Sequence, residues 1–139
     1  MECRVFGMEE TADYKYVVVF SRYEGGLLLS QHRDRSTWET QGGHIEPGET
    51  PEEAARRELW EESGAVEYTM VPVCGYWAGE GEDGANGAMF FAEVQTLGPL
   101  PPSEMARTRR FGGLPEEVTY PGITPCLYDR VKDRFESGL

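Results

Sequence analysis

The chain has 139 residues, enough for one domain with a single core and too few for two ordinary domains. Its apolar content of 39% and charged content of 27% indicate a folded globular protein and argue against global disorder. The formal net charge of −12 disfavours a protein that coats a nucleic-acid duplex, because phosphate backbones are bound by clustered lysines and arginines. That charge does not exclude phosphate chemistry, since carboxylates bind Mg²⁺ and the metal can bind phosphates.

The cysteine pattern and the N-terminus favour a cytoplasmic protein. Cys3, Cys74 and Cys126 are far apart and lack CxxC spacing, which argues against a disulfide framework or a structural zinc site and fits a reducing cytosol. The first 16 residues include several acids and no apolar segment typical of a secretory signal. The apolar runs are far shorter than a membrane span, so we expect no membrane partner.

The first 50 residues predict a β-hairpin and then a loop. Residues 14–20 are β-branched and aromatic and read as a strand, and a Gly-Gly pair at 25–26 separates them from the apolar run 27–30. Residues 31–50 are polar and glycine-rich, so we expect a loop with a short extended piece at positions 44–45.

A helix is predicted next, with a clear beginning and end. Thr50 is suited to the N-cap, Pro51 to the first helical position, and Glu53 completes a capping box. Gly64 is suited to end the helix in a left-handed conformation.

The second half of the chain predicts further strands. Residues 66–78 read as one or two strands, 79–87 as a flexible acidic loop and 88–94 as another strand. Residues 103–110 are compatible with a short helix or an extended arm.

A final helix is predicted from Thr124, with Leu127, Val131 and Phe135 spaced by four along one face. Strands, helix, strands and helix in that order indicate an α+β fold with a mixed sheet between helices. Without repeats or a linker, residues 1–139 are expected to form one domain.

Three carboxylates lie on one stripe of the first helix. Glu58, Glu61 and Glu62 are spaced i, i+3 and i+4, which places them within an arc of about 100°. Like charges at these spacings repel each other, and a hard cation such as Mg²⁺, which prefers oxygen ligands, would neutralise them. Taken alone, such a stripe is more typical of a solvated helix face.

The segment before the helix contains a second group of unusual residues. Gly42 and Gly43 let the backbone approach a ligand closely and could expose a carbonyl oxygen to it. Glu49 is close enough to join the acidic cluster or to orient Arg57, the natural counter-ion of the carboxylates.

Together, residues 43–65 resemble the Nudix box, G-x5-E-x7-R-E-U-x-E-E-x-G-U, where U is a bulky aliphatic residue. Every fixed position matches except the last, where Ala65 stands and Val66 is the candidate to supply the missing packing. Gln41 occupies a position where many relatives carry proline, and we expect it to change the stiffness of the loop.

The resemblance implies a Nudix αβα sandwich and a Mg²⁺- or Mn²⁺-dependent hydrolase. Water would attack a phosphorus of a diphosphate linkage in a nucleotide-like substrate, such as a nucleoside triphosphate in the compact MutT-like group. By position, the metal ligands would be Glu58, Glu61, Glu62 and the carbonyl of Gly42, supported by Gly43, Glu49 and Arg57. Glu58 or Glu61 is the first candidate for the base that deprotonates the water.

Several residues outside the box remain open. Some relatives use a distal-loop glutamate as the base, for which the candidates here are Glu104, Glu116 and Glu117. The substrate-binding residues and the number of metals are undetermined, and a homodimer is left open. Candidates for phosphate contacts are Arg22, His32, Arg33 and Arg35, and candidates for stacking on a base are Trp38, Tyr76, Trp77 and Phe90.

Two alternative functions compete with hydrolysis. An isopentenyl diphosphate isomerase-like enzyme on the same fold needs a catalytic cysteine near the sheet, and Cys74 is the candidate. A sensor domain that binds a nucleotide without cleaving it usually lacks some glutamates of the box, whereas all of them are present here.

Overall fold

The structure, a computed structural model, describes residues 1–135. Within that range no helix is long and apolar enough to cross a membrane. The strands are β1 (Glu2–Phe6), β2 (Tyr16–Tyr23), β3 (Gly26–His32), β4 (Gln41–His44), β5 (Ala65–Glu80), β6 (Asp83–Leu97) and β7 (Met105–Phe111). The helices are α1 (Pro51–Ser63) and α2 (Thr124–Tyr128), with 3-10 turns at Met8–Glu10 and Lys132–Arg134.

All seven strands belong to one mixed sheet. Its order is β1-β5-β6-β2-β3-β7, and β4 pairs with β2 beside this path. β2 and β6 are parallel, and the other pairs are antiparallel. The N-terminal half of β2 pairs with β4 and its C-terminal half pairs with β3. The same edge of β2 is therefore shared by two different strands.

Each face of the sheet carries its own apolar core, because side chains alternate along the strands. On β2, Val17 and Val19 pack towards α1, whereas Phe20 belongs to the opposite core with Leu127 and Val131. The sheet therefore lies between helical layers, which confirms the predicted α+β sandwich.

The ends of α1 follow the sequence prediction. The Thr50 hydroxyl accepts a hydrogen bond from the N–H of Glu53, whose carboxylate accepts one from the N–H of Thr50. Gly64 ends the helix with φ of +81°, a conformation that disfavours residues with a Cβ atom. Ala54, Ala55 and Leu59 are fully buried against the sheet, so the helix is anchored along one side.

The prediction of a flexible loop at residues 79–87 is wrong. β5 and β6 remain paired up to Glu80 and Asp83, and a tight turn at Gly81, with φ of +58°, joins them. Gly79 packs against the backbone of Asp83, whereas two other glycines lie under aromatic rings: a Cβ on Gly84 would be 2.3 Å from the Trp77 ring, and one on Gly87 would be 2.2 Å from the Tyr76 ring. These glycines make room for ring packing on a hairpin.

Other strands differ from the prediction mainly in length. Residues 66–78 belong to one strand, β5, and the segment 103–110 proves extended, pairing with β3 at the sheet edge as β7. The short extended piece expected at 44–45 is β4, which begins at Gln41. β1 was not predicted, because its alternation, with Cys3 and Val5 packed against the core and Glu2 and Arg4 exposed, covers only five residues; the strand gains its stability by pairing with β5.

Two further predictions need correction: the length of the final helix and the role of Val66. The final helix begins at Thr124 as predicted but ends at Tyr128, after which the hydrogen bonds shift to a 3-10 pattern. Leu127, Val131 and Phe135 are nevertheless all buried; residues 136–139 lie outside the described part of the chain. Val66 does not replace the missing aliphatic side chain of the box, since it is 52% exposed.

The Gln41 side chain connects β4 with β2 and β3 through hydrogen bonds. Its side-chain oxygen accepts a 2.6 Å hydrogen bond from the Ser21 hydroxyl, and its side-chain nitrogen donates to the Ser30 hydroxyl and to the carbonyl of Leu28. Ser21, Ser30 and Gln41 are all fully buried. Position 41 therefore lies in a strand, where its amide stabilises the strand that positions the glycines of the box.

We predict that Gln41→Ala lowers the free energy of unfolding by about 3 kcal/mol, because it leaves buried polar groups without partners and creates a cavity. Gln31→Ala, which removes the hydrogen bond that Arg107 on β7 donates to the Gln31 side chain, is a matched control with an expected loss of about 1 kcal/mol. Urea denaturation of both variants measures the difference. Equal losses would show that the Gln41 network adds no stability.

Candidate functional site

The glycine segment and α1 come into direct contact beside the sheet. β4 pairs with β2 through Gly42 and Gly43, and this places Gly43 against the side of α1. A Cβ on Gly43 would lie 2.9 Å from the carboxyl group of Glu58, closer than such atoms approach. Glycine at position 43 therefore leaves space for this carboxylate.

Arg57 is the hub of the acidic cluster. Its guanidinium donates two hydrogen bonds to Glu49, of 2.7 and 2.9 Å, and one of 2.6 Å to Glu58. Nη1 is also 3.4 Å from Glu61, and Nη2 donates to the carbonyl of His44. One cation thus holds three glutamates of the box and the end of β4.

These hydrogen bonds explain the ionisation of the Glu49–Arg57 pair. The hydrogen bonds from Arg57, helped by the backbone N–H of Glu46, lower the pKa of Glu49 to about 2. The same hydrogen bonds raise the pKa of Arg57 above its ordinary value. Both groups are therefore charged throughout the physiological pH range.

Glu58 and Glu62 have the opposite electrostatic environment. Burial raises the pKa of Glu62 to about 8, although the N–H of Gly42 donates a 2.8 Å hydrogen bond to its carboxylate, and repulsion from Glu58 adds to the effect. Burial also raises the pKa of Glu58, against the opposing effect of Arg57. These two carboxylates are partly desolvated and repel each other, so a nearby positive charge would stabilise their ionised forms.

The chemistry of this donor set fits a hard divalent cation. Glu58, Glu61 and Glu62 offer carboxylate oxygens, and two of them gain stability when a nearby positive charge offsets their desolvation. In residues 1–135, no three His, Cys, Asp or Glu side chains converge as they stand to hold a metal. Arg57 lies between Glu58 and Glu61, so metal binding requires a side-chain rearrangement there.

A cavity of about 480 Å³ opens beside the box. Gly42, Gly43 and Glu62 line one part of it, while Glu58 and Glu61 do not line it. Its other walls come from β2, from the segment 32–40 and from residues 120–127. The volume suits a nucleotide-sized ligand.

The three distal glutamates occupy different places. Glu104 lines the cavity, with its side chain 74% exposed and 3.6 Å from His32. Glu116 and Glu117 do not line the cavity, and the carbonyl of Glu117 accepts a hydrogen bond from the N–H of Trp38. Glu104 is therefore the one distal candidate for a base that reaches the site.

Few of the other candidates reach the cavity. His32 and Arg35 line it, whereas Arg22 forms an ion pair with Glu93 away from it. Of the four aromatic candidates only Tyr76 lines it. The other three pack elsewhere: Trp38 against Phe111, Trp77 under the guanidinium of Arg4, and Phe90 in the core beneath α1.

Sequence reasoning missed Glu39, which lines the cavity and accepts a hydrogen bond from Thr119. Residues 38 and 118 form an isolated parallel bridge, and the Thr119 hydroxyl donates a 2.8 Å hydrogen bond to Glu39. These residues are 80 positions apart along the chain. No local pattern in the sequence signals such a contact.

Cys74 is unsuited to cavity chemistry. It lies in the core on the α2 side of the sheet, with Sγ 3.7 Å from the sulfur of Met89, and it does not line the cavity. Burial raises the pKa of its thiol. These contacts are those of a core residue.

Comparisons with known proteins agree with this architecture. Residues 14–111 match the family model of the NUDIX domain. YtkD of Bacillus subtilis (strain 168), named as a proposed 8-oxo-dGTP diphosphatase, is 31% identical over an alignment of 121 residues, and the match covers 77% of this chain and 76% of that protein.

Solved structures share the same fold. The Bacillus subtilis pyrophosphohydrolase BsRppH is 26% identical, with a TM-score of 0.79 and coverage of 94% of this chain and 90% of that one. A MutT NUDIX hydrolase from Burkholderia pseudomallei is 18% identical, with a TM-score of 0.63 and coverage of 88% of this chain and 99% of that one.

We predict that Gly43→Ala lowers kcat/KM of the best nucleotide substrate by about 100-fold, because the added methyl group displaces the Glu58 carboxylate. The melting temperature should change little, since the displaced atoms end a flexible side chain. Gly113→Ala, whose Cβ would meet nothing closer than 3.8 Å, is the matched control. Full activity in Gly43→Ala would show that the position of Glu58 is not critical.

We predict that Glu62→Gln flattens the pH dependence of stability in EDTA. Because folding raises the pKa of Glu62 from 4.5 to about 8, the folded state holds its proton more tightly, and wild-type stability falls as pH rises between these values. A glutamine has no proton to lose. Urea denaturation across this range, with Glu52→Gln as the exposed control on α1, measures the difference; parallel curves for wild type and Glu62→Gln would contradict the prediction.

Proposed function

Because the chain belongs to the Nudix family and is a hydrolase of diphosphate-linked substrates, we propose that it is a metal-dependent pyrophosphohydrolase of nucleoside triphosphates. The observation that carries the proposal is a nucleotide-sized cavity lined by the mostly buried carboxylate of Glu62, which accepts a hydrogen bond from the N–H of Gly42 and is repelled by Glu58 on the same helix. All glutamates of the box are present and one of them lines the cavity, which suits hydrolysis better than binding alone.

Glu58, Glu61 and Glu62, with the backbone carbonyl of Gly42, would hold Mg²⁺ or Mn²⁺. Such a cation binds non-bridging phosphate oxygens, neutralises their charge and acidifies a bound water. The number of metals is open.

The protein's own groups then have distinct tasks. Glu58 or Glu61 accepts the proton of the attacking water, and Glu104, which lines the cavity, is the alternative base. Arg57 fixes the rotamers of Glu49 and Glu58, and the N–H of Gly42 orients the Glu62 carboxylate. Because phosphoryl transfer needs little covalent chemistry from the protein, this positioning is its main contribution.

The choice of substrate rests on the relatives and the cavity. YtkD is named for 8-oxo-dGTP and BsRppH as a pyrophosphohydrolase, which makes guanine nucleoside triphosphates, oxidised or not, the first substrates to test. The cavity has both apolar and polar walls: the apolar side chains of Phe20 and Leu127 line it together with polar residues of the segment 32–40. Such walls suit a base at one end and phosphates at the other.

The alternatives are less well supported. An isomerase would need a reactive cysteine, but Cys74 is a core residue outside the cavity. A sensor would bind a nucleotide without hydrolysing it, and an assay of nucleotide hydrolysis with added Mg²⁺ distinguishes the two. A single domain over residues 1–139, a cytoplasmic location and a homodimer remain predictions.

We predict Mg²⁺-dependent release of pyrophosphate and a nucleoside monophosphate from GTP, dGTP or 8-oxo-dGTP. Glu61→Gln should lower kcat by at least about 100-fold while the melting temperature stays unchanged, because the Glu61 side chain is 42% exposed. Glu52→Gln, an exposed residue paired with Arg56, should keep full activity. Mass spectrometry of the products identifies the bond that is cleaved.

The assay also includes ATP, ADP-ribose and nucleotide sugars. Turnover of ADP-ribose or a nucleotide sugar alone would retain the hydrolase and overturn the triphosphate substrate. Tight binding with no turnover of any compound would support a sensor instead.

A further inference from the structure

Glu39 places a buried carboxylate on the cavity wall, outside the Nudix box. The residue is 7% exposed and lines the cavity with Glu62. Its backbone is held on both sides: Ser30 and Glu39 exchange two hydrogen bonds, of 2.8 and 2.9 Å. The chain therefore keeps an ionisable group at a buried position in which a neutral residue would be less costly.

One carboxylate oxygen of Glu39 is held by two donors. Oε2 accepts a hydrogen bond of 3.1 Å from Nη1 of Arg35 and one of 2.8 Å from the Thr119 hydroxyl. The Thr119 hydroxyl is in turn 2.7 Å from that of Thr37. Both donors converge on the same oxygen, so the orientation of the carboxylate is fixed before a ligand arrives.

The other oxygen, Oε1, has no protein donor among residues 1–135. In that part of the chain no fully buried side-chain oxygen lacks a partner, so Oε1 must be in contact with solvent. The cavity that Glu39 lines is the solvent space next to this nearly buried residue. A fixed and unpaired acceptor thus faces whatever occupies the cavity.

A phosphate is the wrong partner for this oxygen, because two anions repel each other. In the proposed function the phosphates would lie with the cation beside Gly42, Gly43 and Glu62. Glu39 lines the same cavity as the apolar side chains of Phe20, Met105 and Leu127, and apolar walls suit a flat base better than a hydroxylated sugar.

We propose that Glu39 is a specificity-determining residue that accepts a hydrogen bond from the ring N–H or amino group of a guanine-type base. This inference rests on the proposed function, since it assumes a nucleotide in the cavity. Guanine presents a ring N–H beside an amino group, so both groups facing the carboxylate are donors. Adenine presents a bare ring nitrogen beside its amino group, and the lone pair of that nitrogen repels the carboxylate.

Arg35 and Thr119 act through Glu39 as positioning residues. If both donors were lost, the carboxylate would turn away from the base or attract a water molecule. The preference for guanine should therefore depend on the Thr119 hydroxyl and not on its methyl group.

The first test measures base preference in Glu39→Gln. Calorimetric titration with GMP and AMP in Mg²⁺ buffer gives the ratio of dissociation constants, and steady-state kinetics with GTP and ATP give the ratio of kcat/KM. Wild type should prefer guanine, and Glu39→Gln should reduce that preference by about 10- to 100-fold, because an amide can pair with adenine as well. Glu52→Gln should retain the wild-type ratio.

The second test uses milder changes in case Glu39→Gln is unstable. Thr119→Val should reduce the guanine preference, and Thr119→Ser, which keeps the hydroxyl, should restore it. Melting temperatures of all variants separate a change in base preference from a loss of folded protein.

The remaining outcomes overturn the proposal. Equal loss of kcat for GTP and ATP with an unchanged binding ratio would make Glu39 a base or a structural residue. If Glu39→Gln changed the preference between GMP and dGMP but not the preference between GMP and AMP, Glu39 would contact the ribose and not the base. No binding of either monophosphate to the wild type would also overturn it.

The two proposals fail in different ways. If the wild type binds GMP better than AMP and the ratio depends on Glu39, the inference stands even when no triphosphate is hydrolysed. If triphosphates are hydrolysed but Glu39→Gln keeps the wild-type ratio, the proposed function stands and the inference fails.

Discussion

The acidic stripe of α1 depends on one guanidinium. Arg57 contacts Glu49, Glu58 and Glu61 and also holds the end of β4 through the carbonyl of His44. Without this cation, partly buried carboxylates would repel each other along the helix and destabilise the fold before any metal arrived. The same contacts orient Glu49, Glu58 and Glu61, whereas Glu62 accepts a hydrogen bond from the N–H of Gly42.

The sheet controls where this cluster meets the cavity. β2 pairs with two different strands, β4 and β3, and the Gln41 side chain connects them through buried serines. Because Gly42 and Gly43 follow directly, the register of β4 determines how closely the backbone approaches α1. The Gln41 network therefore helps to position Gly43, which lies against Glu58 of α1.

Two carboxylates with different partners line the cavity. Glu62 accepts a hydrogen bond from the N–H of Gly42, whereas Glu39 is paired through one oxygen with Arg35 and Thr119, and repulsion from Glu39 is among the causes that raise the pKa of Glu62. Two carboxylates in one cavity can have different tasks when their partners differ. In the proposed assignment one acts through a metal on phosphates, and the other contacts the base directly.

The sequence alone determined the features whose signals are local. The capping box, Gly64 and the i, i+3, i+4 glutamates all lie within one helix and the segment before it, so spacing was sufficient to predict α1 and to recognise the box. Tertiary structure decided the rest, because it depends on contacts between distant segments. β1 is stabilised by its pairing with β5. Gly84 and Gly87 leave space for aromatic rings that pack across the β5–β6 hairpin. Glu39 contacts Thr119 only after the chain has folded around the cavity.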